Sequence, residues 1–183
     1  MITTEKLKNE VKKVIDILKK DGIGVIPTDT VYGIVGKALS KKTVQRLYKI
    51  KKRNPKKPFI ILIRSLNDLK IFQVKTSKEI LDFLKKIWPG KITVILPLKN
   101  KKKFFYLHKG TNSLAFRIPE DKILQNILKK TGPLVAPSAN LEGEVPAETI
   151  SQAKRYFKEK VDFYFNGGKR KGKPSIILEV KRL

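Results

Sequence analysis

Three stretches of this sequence gather small hydroxyl, amide or cationic side chains. They are Ile26-Pro27-Thr28-Asp29-Thr30-Val31-Tyr32-Gly33, then Lys51-Lys52-Arg53 followed by Asn54-Pro55-Lys56-Lys57-Pro58, and Val135-Ala136-Pro137-Ser138-Ala139-Asn140. Lysine and arginine neutralise phosphate or carboxylate oxygens, arginine through a planar fork, while Ser, Thr and Asn add short directional hydrogen bonds. In α/β proteins such groups work at strand ends, where loops converge on a crevice. Taken singly, each stretch also makes good structure: a turn and helix cap, a solvated helix end, a loop. Nucleophilic chemistry finds little support. The chain has no cysteine, which removes thiolate nucleophiles, thiolate zinc sites and disulfides. Its single histidine, His108, lies between Leu107 and Lys109. One histidine cannot build a polyhistidine metal site and speaks against a Ser-His-Asp triad; a surface or packing histidine is the better reading.

The apolar spacing supplies elements that would bring these residues together. Leu7, Val11, Val14, Ile15 and Leu18 fall on one face of a helix from Thr4 to Lys20, with Thr3 or Thr4 as cap and Gly22 after its end. A short buried strand, Ile23 to Pro27, runs into a polar turn. Ser40 caps a second helix through about Lys52, with Val44, Leu47 and Tyr48 facing inward. Phe59-Ile60-Ile61-Leu62-Ile63 is a continuous apolar run, as in a strand covered on both faces. Further helices are expected at about 77–87, 120–130 and 149–158, and strands at 91–96, 113–118, 133–136, 161–165 and 175–180. Trp88-Pro89-Gly90 ends a helix and reverses the chain. Interleaved strands and helices predict a single α/β domain over residues 1–183, a twisted mixed sheet with flanking helices.

Composition narrows the field. The chain of 183 residues is 40% hydrophobic and 32% charged, enough to bury one sizeable core. No apolar run approaches the length of a membrane span, and the N-terminus does not read as a signal peptide, so a reduced cytoplasmic setting is expected. Lys+Arg 42 against Asp+Glu 16 leaves a net charge of +26, a field that favours polyanions such as ATP, pyrophosphate and RNA. The lysines are spread along the chain, so solvated helix faces account for them equally well. The basic stretch Asn100 to Lys103 reads as a solvated turn. Gly167-Gly168-Lys169-Arg170-Lys171-Gly172-Lys173-Pro174 nearly spells a phosphate-binding P-loop, but Pro174 stands where a hydroxyl must meet magnesium, and strand rather than helix follows. A flexible basic loop beside a phosphate site is the reading that survives.

Five segments taken together resemble the YrdC/TsaC family: Pro27-Thr28-Asp29-Thr30-Val31-Tyr32-Gly33, the Lys51-x-Arg53 pair, Trp88-Pro89-Gly90, Leu114-Ala115-Phe116-Arg117-Ile118-Pro119 and Pro137-Ser138-Ala139-Asn140. The similarity runs from about Ile15 to Val180, and the chain looks like the short, one-domain form. The resemblance implies a threonylcarbamoyl-AMP synthase with a basic concave cleft. It would join L-threonine, bicarbonate or CO2, and ATP, release pyrophosphate, and feed threonylcarbamoyladenosine formation on tRNA through a downstream transferase. Carried over residue by residue, Lys51 and Arg53 would be catalytic and grip the triphosphate. Thr30, Arg117, Ser138 and Ser175 would bind threonine, and Lys57, Ser113, Asn140 and Thr149 would contact the nucleotide. Magnesium would enter with ATP, held by phosphates and water rather than protein ligands.

The sequence departs from the family pattern in three places. Asn54 separates Arg53 from Pro55, Leu62 stands where some relatives carry histidine, and Ser175-Ile176 replaces Ser-Thr. The competing reading is a module that holds double-stranded RNA or tRNA without chemistry. The charge supports it, whereas interleaved strand aromatics of the RRM type are missing. A carbamoyltransferase-related domain is a third reading, and it would take carbamoyl phosphate.

Overall fold

The one-faced spacing near the N-terminus closes into helix α1 (Thr4–Lys19), which buries Val11, Val14, Ile15 and Leu18. The computed structural model describes residues 4–100 and 102–180. Thr3, one of the expected caps, and Lys101 of the basic turn lie outside the described residues. Thr4 is itself the first helical residue. In the basic turn, the Asn100 side-chain oxygen accepts the N–H groups of Lys102 and Lys103.

After α1 come β1 (Gly24–Pro27) and β2 (Tyr32–Lys37), an antiparallel hairpin in which Pro27 faces Tyr32. The expected polar turn is there, but a whole buried strand follows it. Next are α2 (Lys41–Lys51), β3 (Ile60–Leu62), α3 (Lys78–Ile87), β4 (Ile92–Pro97) and a one-turn α4 (Phe105–His108). β5 (Ser113–Arg117), α5 (Lys122–Thr131), β6 (Leu134–Val135), α6 (Ile150–Phe157), β7 (Phe163–Tyr164) and β8 (Ile176–Glu179) complete the order. Ser40, Ser77, Asp121 and Thr149 cap α2, α3, α5 and α6, each accepting a backbone N–H from the first turn. Each such cap is worth about 1 kcal/mol. Trp88-Pro89-Gly90 turns the chain out of α3, and the Trp88 indole donates to Ile92 O at 2.6 Å.

The eight strands form one mixed sheet in the order β7-β1-β2-β6-β3-β5-β4-β8. Strand alternation divides the core in two. Val25, Ile34, Ile61 and Val135 point to the face packed by α2, α3, α4 and α6. Ile26, Val35, Leu62 and Leu134 point to the face packed by α1 and α5. Those two helices cover only part of their face. Beyond Leu62 the strands β5, β4 and β8 have no helix over them, and that uncovered part of the sheet becomes the floor of a cleft. Residues 165–175 join the two edge strands β7 and β8, so they must cross the sheet from one side to the other. They do so without helix, in keeping with the rejected P-loop.

Candidate active site

Helix α2 delivers the first candidate residues. Lys51 is its last residue, and Lys52 ends it in the left-handed conformation. The Lys51 side chain is almost fully buried, 1% exposed, and Nζ donates to Ser138 O and Asn140 O, each at 2.5 Å. Ser138 Oγ donates to Asn140 Oδ1 at 2.6 Å, and the Asn140 amide donates to Leu141 O and Glu144 O. The Lys-x-Arg and Ser-x-Asn stretches therefore meet in one closed network, in which Lys51 fixes the shape of the loop after β6. Burial, and secondarily the nearby Arg53 charge, push the Lys51 pKa down to about 7, with Glu142 pulling it up.

Arg53 leaves the helix toward solvent. Its guanidinium donates to Lys57 O and Pro58 O and lies over the Phe59 ring at 5.4 Å. Lys57 pairs with Glu142 at 2.6 Å, and the same carboxylate accepts Asn54 N–H, so Asn54 serves as a backbone donor in the turn. These contacts hold the Glu142 carboxyl below its ordinary pKa, the Lys57 hydrogen bond contributing most.

The uncovered floor of the sheet opens into a cavity of about 440 Å³, within the range of small-molecule sites. Arg53, Ser113 and Ser138 line it, with Ile60, Ala115, Ile95 and Ile177 as apolar floor. Among its described lining residues Arg53 is the one cation and Glu179 the one anion. A separate groove between α1 and α5 holds none of the candidate residues.

Arg117 ends β5 on the same strand face as Ser113 and Ala115, and it is 4% exposed. Its Nη1 lies 2.9 Å from Asp29 Oδ1, a buried ion pair. Asp29 also accepts Glu120 N–H, tying the β1–β2 turn to the chain after β5. The Arg117 Nε finds no hydrogen-bond acceptor. Asp29 neutralises the guanidinium in place, and the one buried N–H left open, at Nε, is available to an acceptor on a ligand.

The remaining candidates are spread around this centre. Thr30 is buried, its hydroxyl 3.0 Å from that of Thr28, and Gly172 of the crossing segment lies directly on its carbonyl: a Cβ there would stand 2.0 Å from Thr30 O. Ser175 bonds the buried Thr93 hydroxyl at 2.8 Å, one residue before β8. Thr149 closes a capping box with Gln152 and lies off the cavity wall. Leu62, where histidine was a possibility, is buried in the core beneath α1 and α5. His108 is a packing residue, 1% exposed, accepting N–H groups from Gly110 and Asn112. Sequence reasoning missed Asp29, Glu142, Thr93 and Glu179 as parts of the site. Asp29 had a signal, since it lies inside the Thr-Asp-Thr turn, but its partner was invisible.

Known proteins share this sequence pattern and this fold. A putative threonylcarbamoyl-AMP synthase of Methanocaldococcus jannaschii is 33% identical over 181 residues, 95% of this chain and 84% of that protein. The threonylcarbamoyl-AMP synthase of Pyrococcus abyssi is 28% identical over 165 residues, and the match spans only 48% of that longer protein. The solved structure of P. abyssi Sua5 complexed with L-threonine superposes with a TM-score of 0.88 at 25% identity, over 96% of this chain and 52% of that one. E. coli YciO has the same fold, with a TM-score of 0.84 at 22% identity. The Sua5/YciO/YrdC family model, described as telomere recombination, matches residues 16–182, and a match of that extent makes the chain a member of this family.

Proposed function

We propose that this chain is an L-threonylcarbamoyladenylate synthase, a nucleotidyltransferase working as one domain in the cytoplasm. The observation that carries the reading is the meeting of the Lys51-x-Arg53 and Ser138-x-Asn140 stretches, through the Lys51 hydrogen bonds, beside a nucleotide-sized cavity that Arg53, Ser113 and Ser138 line. The threonine carboxylate would meet Arg117 beside its Asp29 counter-ion, with Thr30, Ser138 and Ser175 around it, while Arg53 meets the triphosphate, Ser113 and Asn140 border the nucleotide, and Lys57 and Thr149 act from the rim. Relatives named threonylcarbamoyl-AMP synthase and a relative that binds L-threonine support the assignment.

The chemistry asks little of the side chains. The threonine amine adds to CO2, derived from bicarbonate, and loses a proton to give a carbamate. A carbamate oxygen then attacks the α-phosphorus of ATP. The bond from that phosphorus to the bridging oxygen breaks, and pyrophosphate leaves with the electron pair. An anion attacking a polyanion needs charge neutralisation and alignment above all. Arg53 supplies the first, and Lys51 the second, by setting the loop that presents Ser138 and Asn140. Magnesium would arrive with ATP and screen its phosphates, coordinated by phosphate oxygens and water. Among the described residues no three His, Asp or Glu side chains gather into a metal-holding group. Nor is any described helix long and apolar enough to cross a membrane. The product would pass to a transferase that modifies tRNA.

The test is pyrophosphate release from ATP and bicarbonate with and without L-threonine. Threonine-dependent release that is lost in both Lys51→Ala and Arg53→Ala supports the reading. Lys51→Ala should also lower thermal stability, because it strips two buried carbonyls of their donor. Wild-type protein that releases nothing while retaining RNA at moderate salt would instead favour an RNA-binding module.

A further inference from the structure

Strand register sets one carboxylate at the far end of the cavity from its cation. Glu179 on β8 faces Ile95 on β4, Ile95 faces Ala115 on β5, and Ala115 faces Ile60 on β3. All four line the cavity, so they form a single row across its floor. Arg53 stands over Phe59, at the β3 end of the row. With strands about 4.8 Å apart, three steps put Glu179 about 14 Å from Ile60. The row is therefore charged at its two ends, with opposite signs, and apolar between them, while Thr111, Ser113 and Ser138 line the cavity beside it.

This arrangement is unexpected for a site that holds a polyanion. A carboxylate beside phosphates would repel them. In a chain with 42 Lys and Arg against 16 Asp and Glu, an acid on the cavity wall calls for a ligand group that wants one. Glu179 is exposed on an edge strand and takes part in none of the ion pairs among the described residues. An ionised carboxylate only accepts hydrogen bonds, so its partner must be a donor. The end of a nucleotide opposite its phosphates offers a vicinal pair of ribose hydroxyls, which two carboxylate oxygens can accept together. An acidic residue on a ribose 2′-hydroxyl is a recurring solution in nucleotide sites.

We infer that Glu179 binds the ribose hydroxyls of the nucleotide, fixing its direction in the cavity with the phosphates at Arg53. The inference rests on the nucleotide reading of this same cavity. Ile95, Ala115 and Ile177 then give the nucleoside its apolar bed.

Calorimetric binding of ATP and 2′-deoxy-ATP to wild type and to Glu179→Ala tests it, with threonine-dependent pyrophosphate release measured in parallel. Wild type should bind ATP about tenfold or more tighter than the deoxy analogue, the worth of one hydrogen bond to a charged group. Glu179→Ala should bring the two within about twofold and weaken ATP, with threonine affinity unchanged. Melting temperature checks that the edge strand stays folded. An unchanged ratio in Glu179→Ala, or tighter ATP binding on removal of the carboxylate, overturns the inference. If wild type turns over with threonine but shows no ribose discrimination, only this inference falls. If it neither binds ATP nor turns over, the nucleotide reading falls with it.

Discussion

Lys51 donates to two backbone carbonyls from a position nearly sealed from water, so its protonation is tied to folding. Its pKa falls from an ordinary 10.5 to about 7, chiefly through burial. Between those values the unfolded chain keeps a proton that the folded chain has released. This group therefore makes stability rise with pH from about 7 to about 10.5. Urea denaturation at about pH 7 and about pH 9 should show wild type gaining stability relative to Lys51→Met. Parallel pH dependence in the two proteins would contradict the buried, depressed lysine. Arg117 yields a second expectation. Arg117→Lys keeps the charge and loses the fork, so KM for threonine should rise about tenfold while KM for ATP stays within about twofold. Asp29→Asn leaves Arg117 buried without its counter-ion, and a loss of about 3 kcal/mol in urea denaturation is expected. Much at this scale was legible in the sequence, because Lys51, Ser138 and Asn140 lie in short recognisable runs. The partners that hold them were not. Glu142 meets Asn54 and Lys57 from 88 and 85 residues away, a pairing only the fold creates.

At the scale of elements, two glycines mark where segments touch without clearance. A Cβ on Gly36 of β2 would stand 2.4 Å from Thr43 Cγ2 on α2. Gly36→Ala should cost about 1–3 kcal/mol in denaturation and displace the helix that carries Lys51. Gly172 presses on Thr30 from the segment that crosses the sheet, itself pinned where the Tyr32 hydroxyl accepts Gly167 N–H and donates to Gly168 O. Gly172→Ala must lift that segment off the Thr30 carbonyl. KM for threonine should rise by about tenfold or more, with ATP binding little changed; the reverse pattern would remove Thr30 from the threonine site. Helices with strong one-faced spacing, such as α1 and α5, could be read directly from the sequence. β2 could not. Its two glycines and the preceding Thr-Asp-Thr turn mask the strand signal, and of the two only Gly36 stands where a neighbour leaves no room for a side chain.

On the scale of the whole molecule, a net charge of +26 surrounds a cavity whose walls are largely apolar. The charge should draw ATP to the cleft from solution, whereas threonine, a zwitterion, gains little from it. Raising salt from about 0.05 M to about 0.5 M should therefore lift KM for ATP several-fold and leave KM for threonine within about twofold. The α/β class was legible because apolar runs of strand length alternate with amphipathic helices. The crossing of residues 165–175 from one edge of the sheet to the other was not, since it depends on β7 and β8 being opposite edges. The account's central claim is that carbamate and nucleotide are joined in this cleft. Isotope-labelled bicarbonate, incubated with ATP, magnesium, L-threonine and the protein, tests it most directly by mass spectrometry. The account predicts label in a product carrying both threonine and AMP, formed by wild type and not by Arg53→Ala. Pyrophosphate release without that labelled adenylate, or equal product from the variant, would contradict it.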